Sequence, residues 1–184
     1  MSQYCYSPLA PDANSIRLLR LLPQADGGAE SKIQCEIFEY PLQDSAKSSH
    51  LYDALSYTWG GGELPCSITI GGQILNVTAN LYLALLHLRD QSLERILWID
   101  AICIDQNNLE ERSQQVQVMA LIYSKARCVL VWLGETADDV EGALEGIQLA
   151  AHLGDKSIDI PNERIPKEAI WNLLRRQWFQ RVWV

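Results

Sequence analysis

LWIDAICIDQ, residues 97–106, begins as an apolar strand, breaks on Asp100, turns apolar again through Ala101, Ile102, Cys103 and Ile104, and closes on Asp105 and Gln106. An acid in such a run marks the end of a buried strand and the start of a turn into a helix. The downstream residues support this. Asn107 or Asn108 can cap a helix carrying Glu110 and Glu111 in its first turn, where carboxylates suit the helix dipole. Its apolar stripe is read as Val116, Met119, Ile122, Tyr123 and Ala126, and RCVLVWLGE (127–135) follows at once as another buried strand.

Upstream, Thr78 or Asn80 can cap a helix with Leu81, Ala84, Leu85 and Leu88 on one face. Before it, SITIGGQILNV (67–77) reads as two strands joined by Gly71-Gly72, a hairpin signal. YDALSYTWGGG (52–62) is a short strand ending in glycines. IRLLRLL (16–22) and KIQCEIFEY (32–40), separated by turn residues, give a strand-turn-strand pattern. A helix is expected over 137–153, an exposed loop through Pro161, and a last helix over roughly 166–177. From residue 52 to 153 strands and helices alternate, with a hairpin inserted after the first strand. That order predicts an α/β fold with a parallel sheet flanked by helices. The apolar VLVWL and ILWI strands are expected to be covered on both faces.

Composition narrows the function classes. With 48% hydrophobic and 21% charged residues, 184 residues can bury one domain's core. A formal charge of −8 argues against nucleic-acid or anionic-membrane partners, which require basic patches. No apolar run is long enough for a transmembrane helix, and the polar MSQYCYSPLAPDANS start does not resemble a signal peptide. Five scattered cysteines, none in a CxxC pair and none at ligand-like spacing from His50, His87 or His152, read as core residues of a cytoplasmic protein without a metal site.

In a parallel sheet, ligands bind outside the carboxyl ends of the strands. Two such ends carry polar chemistry: Ser56, Tyr57, Trp59 and Gly60, then Asp100, Asp105 and Gln106 with Glu111 and Arg112 at the helix start. Each has a plainer reading. Asp100 can cap a turn, the tryptophans can be core, and Glu111 with Arg112 can support the helix start. Without GxSxG, GxGxxG or GxxxxGK[ST], a serine hydrolase, a standard dinucleotide fold and a P-loop are disfavoured.

YDALSYTWG (52–60), the stretch 97–135 and WFQRVWV (178–184) together resemble the three blocks of the fungal heterokaryon-incompatibility (HET) domain, in the family's order. IRLLRLLP and IQCEIFEY resemble the strands that precede the first block. Asp105 stands where the family commonly has asparagine. The resemblance implies a single HET domain over 1–184, with an N-terminal strand extension (1–45) and a core (50–184) cut short at its C-terminus. It also implies a distantly Toll/interleukin-1-receptor-like (TIR-like) or flavodoxin-like sheet, and an effector of fungal nonself recognition and programmed cell death.

Some TIR domains cleave NAD, so the resemblance implies NAD as a substrate, no required cofactor, and Asp100 and Glu111 as catalytic carboxylates. Ser56, Tyr57, Trp59, Gly60, Asp105, Gln106, Arg112 and Trp183 would then bind the ligand. The glutamate following the tryptophan aligned with Trp183 would lie beyond Val184. The rival readings are a non-enzymatic module that signals by self-association or through receptor-type partners, and an inert fragment.

Overall fold

The computed structural model describes residues 1–9, 15–24, 32–42, 51–135, 140–153 and 166–180. Within it, β1 (Ser15–Leu21) and β2 (Gln34–Pro41) pair antiparallel, with Ser15 opposite Pro41 and Leu21 opposite Cys35. β3 (Asp53–Tyr57) is buried at all five positions. β4 (Cys66–Ile70) and β5 (Gln73–Val77) form the expected hairpin. Its turn holds Gly71 at φ 54° and Gly72 at φ 84°, a left-handed pair that side chains with a Cβ rarely adopt. The Thr78 hydroxyl then accepts the Leu81 N–H and starts α1 (Ala79–Leu88), whose Leu81, Ala84 and Leu85 are buried.

β6 (Arg95–Trp98) leads into α2 (Asp100–Cys103), a single turn in which Asp100 is the first helical residue rather than the last of the strand. The long α3 (Leu109–Lys125) is capped by Asn108, whose side-chain oxygen accepts the Glu111 N–H. β7 (Val129–Trp132) follows.

The strands form one sheet in the order β5-β4-β2-β1-β6-β3-β7. β3 pairs in parallel with β6 on one side and β7 on the other. This second–first–third spatial order is the one found in flavodoxin-like sheets. β1 attaches antiparallel to β6 and extends the sheet through β2, and β4 joins β2 in parallel. The inserted hairpin therefore lies four strands away from β3, the strand it follows. The sheet is mixed, and its parallel part is β6-β3-β7.

Two-sided burial holds for the second half of the second parallel strand, where Leu97 and Trp98 are fully buried, but not for the third. Val129 and Val131 are exposed while Leu130 and Trp132 are half-buried, so β7 at the sheet's edge alternates with period two. The α3 stripe also differs from expectation. Val116 is exposed, and the buried positions are Glu111, Gln115 and Ile122, with Met119 and Tyr123 packed partly against the core. Polar residues face inward because partners wait there: Gln115 donates to the Ser15 carbonyl at 3.1 Å, and Glu111 meets Arg17.

Of the cysteines, only Cys35 and Cys103 are buried, and burial pushes both thiols up to about 12. Cys5 and Cys128 are exposed, contrary to a core role.

Residues 133–184 form a second compact unit. There α4 (Val140–Leu153) and α5 (Lys167–Leu174) share a small core of Ala143, Ala169 and Leu173, and a 3-10 turn follows at Gln177–Gln180. The loop expected around Pro161 lies outside the described residues. No described helix is long and apolar enough to cross a membrane.

Candidate functional site

β3 delivers Tyr57 to its carboxyl end, and the chain then turns through Thr58 and Trp59 to Gly60, which takes φ 77°. Asn80, in the first turn of α1, fixes this turn from both ends of its amide. It donates to the Thr58 carbonyl at 2.6 Å and accepts the Trp132 indole N–H at 2.8 Å. Trp59 reaches the neighbouring strand end, where its indole N–H donates to Asp100 Oδ2 at 3.0 Å. The other Asp100 oxygen accepts the Ala101 N–H at 2.8 Å, and the Asp100 carbonyl accepts the Gln106 amide at 2.8 Å. Trp59, Asp100 and Gln106 are thus tied together from two strand ends.

Beside them opens a cleft of about 370 Å³. Its walls are Tyr57, Trp59, Gly60–Gly62, Leu64, the end of β5, Thr78, Leu81, Ala101, Gln106 and Asn107, with Gln3 and Tyr6 closing one side. Among the described residues that line it there is no Lys, Arg, His, Asp or Glu. The walls offer amides, hydroxyls and aromatic faces. Such a surface suits an uncharged, hydrogen-bonding or heteroaromatic group and supplies no cation for a phosphate.

Glu111 does other work. Its carboxylate takes both guanidinium nitrogens of Arg17, at 2.5 and 3.0 Å, with side-chain exposures of 9% and 4%. It also accepts the Asp105 N–H at 2.8 Å. Arg17 in turn donates to the carbonyls of Cys103 and Ser7 and lies 5.0 Å from the Tyr6 ring. Removing either charge would strand the other in the interior, so the pair braces the 103–106 turn that presents Gln106.

The remaining expected residues divide as follows. Asp105 makes a local turn by accepting the Asn107 N–H, and Arg112 is exposed on α3. Ser56 is buried within β3 opposite Val131, away from the cleft lining. Trp183 lies outside the described residues. The structure therefore brings Tyr57, Trp59, Gly60 and Gln106 together on the cleft, with Asp100 hydrogen-bonded to its wall. Sequence reasoning missed Gln3, Tyr6, Asn80 and Arg17. The only signal for Arg17 was an arginine interrupting an apolar strand.

The amino ends of the parallel strands carry a different cluster. Buried Asp53 accepts two hydrogen bonds from Arg127, at 2.8 and 2.7 Å, and one from the Cys128 thiol, with Arg95 at 3.9 Å. Burial alone would raise its carboxyl, but the Arg127 and Cys128 hydrogen bonds and the arginine charges outweigh it and hold Asp53 below its ordinary value. Among the described residues no group of three His, Cys, Asp or Glu side chains could hold a metal ion.

The family model described as Heterokaryon incompatibility protein (HET) matches residues 52–184. The "Heterokaryon incompatibility protein 6, OR allele" of Neurospora crassa is 34% identical over 164 residues, which cover 82% of this chain and 23% of that protein. The chain thus spans about a quarter of this curated relative's length. No solved structure matches it significantly.

Proposed function

This chain belongs to the heterokaryon-incompatibility (HET) family, and we propose that it acts as an effector of nonself recognition whose cleft takes the nicotinamide–ribose end of NAD, with the pyrophosphate left outside it, hydrolyses it and so triggers cell death. The observation that carries the reading is the Trp59–Asp100 pair at the carboxyl ends of β3 and β6, adjoining the uncharged cleft. Hydrolysis breaks the ribosyl–nicotinamide C–N bond; water adds to the ribosyl carbon, and nicotinamide, ADP-ribose and a proton leave. Positive charge develops on the ribosyl carbon as the bond lengthens, and a fixed carboxylate beside an aromatic face lowers that barrier. Asp100 takes this electrostatic role. Trp59 fixes the carboxylate and presents its ring, and Gln106 supplies an amide for the ribose or the nicotinamide.

On this reading the protein works in the cytoplasm, where NAD is available, and self-association or receptor-type domains control it. Purified full-length protein should release nicotinamide from NAD, and the Asp100→Asn variant should lose most of that rate. Absence of turnover in wild-type protein, even after forced self-association, would reject the enzymatic reading.

One observation favours a non-enzymatic signalling module instead. Glu111, the other candidate acid, has both carboxylate oxygens engaged by Arg17 and the Asp105 N–H. If the strand-end acids serve structure alone, Asp100→Asn protein that folds normally will keep its full toxicity in cells.

A further inference from the structure

Residues 1–9 run along the outer edge of the β4–β5 hairpin and then beside the cleft, where Gln3 and Tyr6 form part of its lining. Gln3 bridges to Ile74 in parallel; the Tyr4 N–H donates to the Ile74 carbonyl at 2.8 Å, and the Ile74 N–H donates to the Ser2 carbonyl at 2.9 Å. Further on, the Tyr6 hydroxyl donates to the Ile102 carbonyl at 2.9 Å, and Arg17 holds the Ser7 carbonyl at 2.6 Å. Tyr6 also stacks its ring edge-to-face on Tyr4 and lies 5.0 Å from the Arg17 guanidinium. These contacts join the segment to two separate walls of the cleft, β5 and α2, and they place Gln3 and Tyr6 on its lining.

The segment is nonetheless lightly held. None of its nine residues is fully buried: Tyr4, Tyr6 and Leu9 are half-buried and the other six exposed, whereas six of the seven residues of β1 are buried. Few buried apolar contacts and a short hydrogen-bonded ladder put a segment at the low end of local stability.

We propose that segment 1–9 is a removable wall of the cleft: docked, it puts Gln3 and Tyr6 against the occupant, and undocked, it opens the way in. This extends beyond the proposed chemistry, because it holds for any molecule that fills the cleft.

Hydrogen exchange followed by NMR tests it on the intact protein. The Ile74 amide reports the strap, since its partner is Ser2, while Leu75, opposite Ile68 of β4, reports the hairpin. Ile74 should exchange about 100-fold faster than Leu75, and Tyr6→Phe, which removes the bond to Ile102, should speed Ile74 by a further five- to tenfold with Leu75 unchanged. Labelling of an Ala101→Cys thiol on the cleft wall, located by peptide mapping, should rise by the same factor in the Tyr6→Phe background. Ile74 exchanging as slowly as Leu75, or both amides accelerating together, would mean a fixed strand and overturn the proposal. Faster Ile74 exchange with unchanged labelling at position 101 would overturn it too, because the segment would move without gating the cleft.

Discussion

Both ends of the parallel strands carry a carboxylate, and the two are held in opposite ways. At the amino end, Asp53 is buried and clamped by a bidentate guanidinium, a second arginine and a thiol. At the carboxyl end, Asp100 is half-buried, holds an indole N–H and a backbone N–H, and adjoins the wall of a cleft. Glu111, close to Asp100 in the chain, follows the pattern of Asp53 rather than that of its neighbour, since its partner is the buried Arg17. The contrast separates scaffold from candidate chemistry. A carboxylate enclosed with a guanidinium fixes the backbone around it, whereas a half-buried one hydrogen-bonded to a cleft's wall can still meet a developing charge.

The largest expected effect tests the scaffold side. Arg17→Met leaves Glu111 buried without its cation and should cost about 3–5 kcal/mol in urea unfolding, while Arg17→Met with Glu111→Leu should recover most of it. If Arg17→Met costs under about 1 kcal/mol, the brace under the 103–106 turn is not what holds it.

Asp53→Asn should cost about 1–3 kcal/mol, because a buried acceptor loses its charged bonds while Arg127, 65% exposed, returns to water. The pH dependence has a definite sign. The folded carboxyl lies below its unfolded value of about 3.9, so its contribution is complete above that value and fades as pH falls through the lower folded one. Wild-type stability should decline below about pH 4 more steeply than that of Asp53→Asn; parallel acid profiles would show that Asp53 contributes no such term.

Thr78→Ala removes the α1 cap at the cleft's lip and should cost about 1 kcal/mol, read from the thermal midpoint. Asp100→Asn should change stability least, by less than about 1 kcal/mol, since at this half-buried position an amide keeps one acceptor oxygen for the two donors, the Trp59 indole and the Ala101 N–H. A loss of 3 kcal/mol there would move Asp100 to the scaffold side of the comparison.

Local chemistry was legible in the sequence. Gly71-Gly72 announced the hairpin, the pairs Thr78/Asn80 and Asn107/Asn108 each held a helix cap (Thr78 and Asn108 serve), and LWID announced the second parallel strand. Of the residues singled out by the rule that ligands sit beyond strand carboxyl ends, Tyr57, Trp59, Gly60 and Gln106 line the cleft, whereas Ser56, Asp105 and Arg112 do not. What stayed hidden depended on partners far away in the chain. Glu111 and Gln115 face inward on α3 because Arg17 and Ser15 meet them from 94 and 100 residues away, so the hydrophobic pattern missed them and wrongly included Val116, while Met119, Ile122, Tyr123 and Ala126 do pack on the core. The hairpin's attachment to β2 is a pairing choice that periodicity does not encode, and it carries β5 to the cleft. Segment 1–9 has no pattern of its own and takes its place from β5, α2 and Arg17.

In the proposed function Asp100 acts on a ligand while Asp53 and Glu111 hold the fold. The most direct measurement is nicotinamide release from NAD by full-length wild-type and Asp100→Asn proteins, at a temperature where unfolding curves show both fully folded. Turnover is expected in the wild type, with at least about a 100-fold loss in Asp100→Asn and the two unfolding curves within about 1 kcal/mol. Turnover undiminished in a folded Asp100→Asn protein would contradict it.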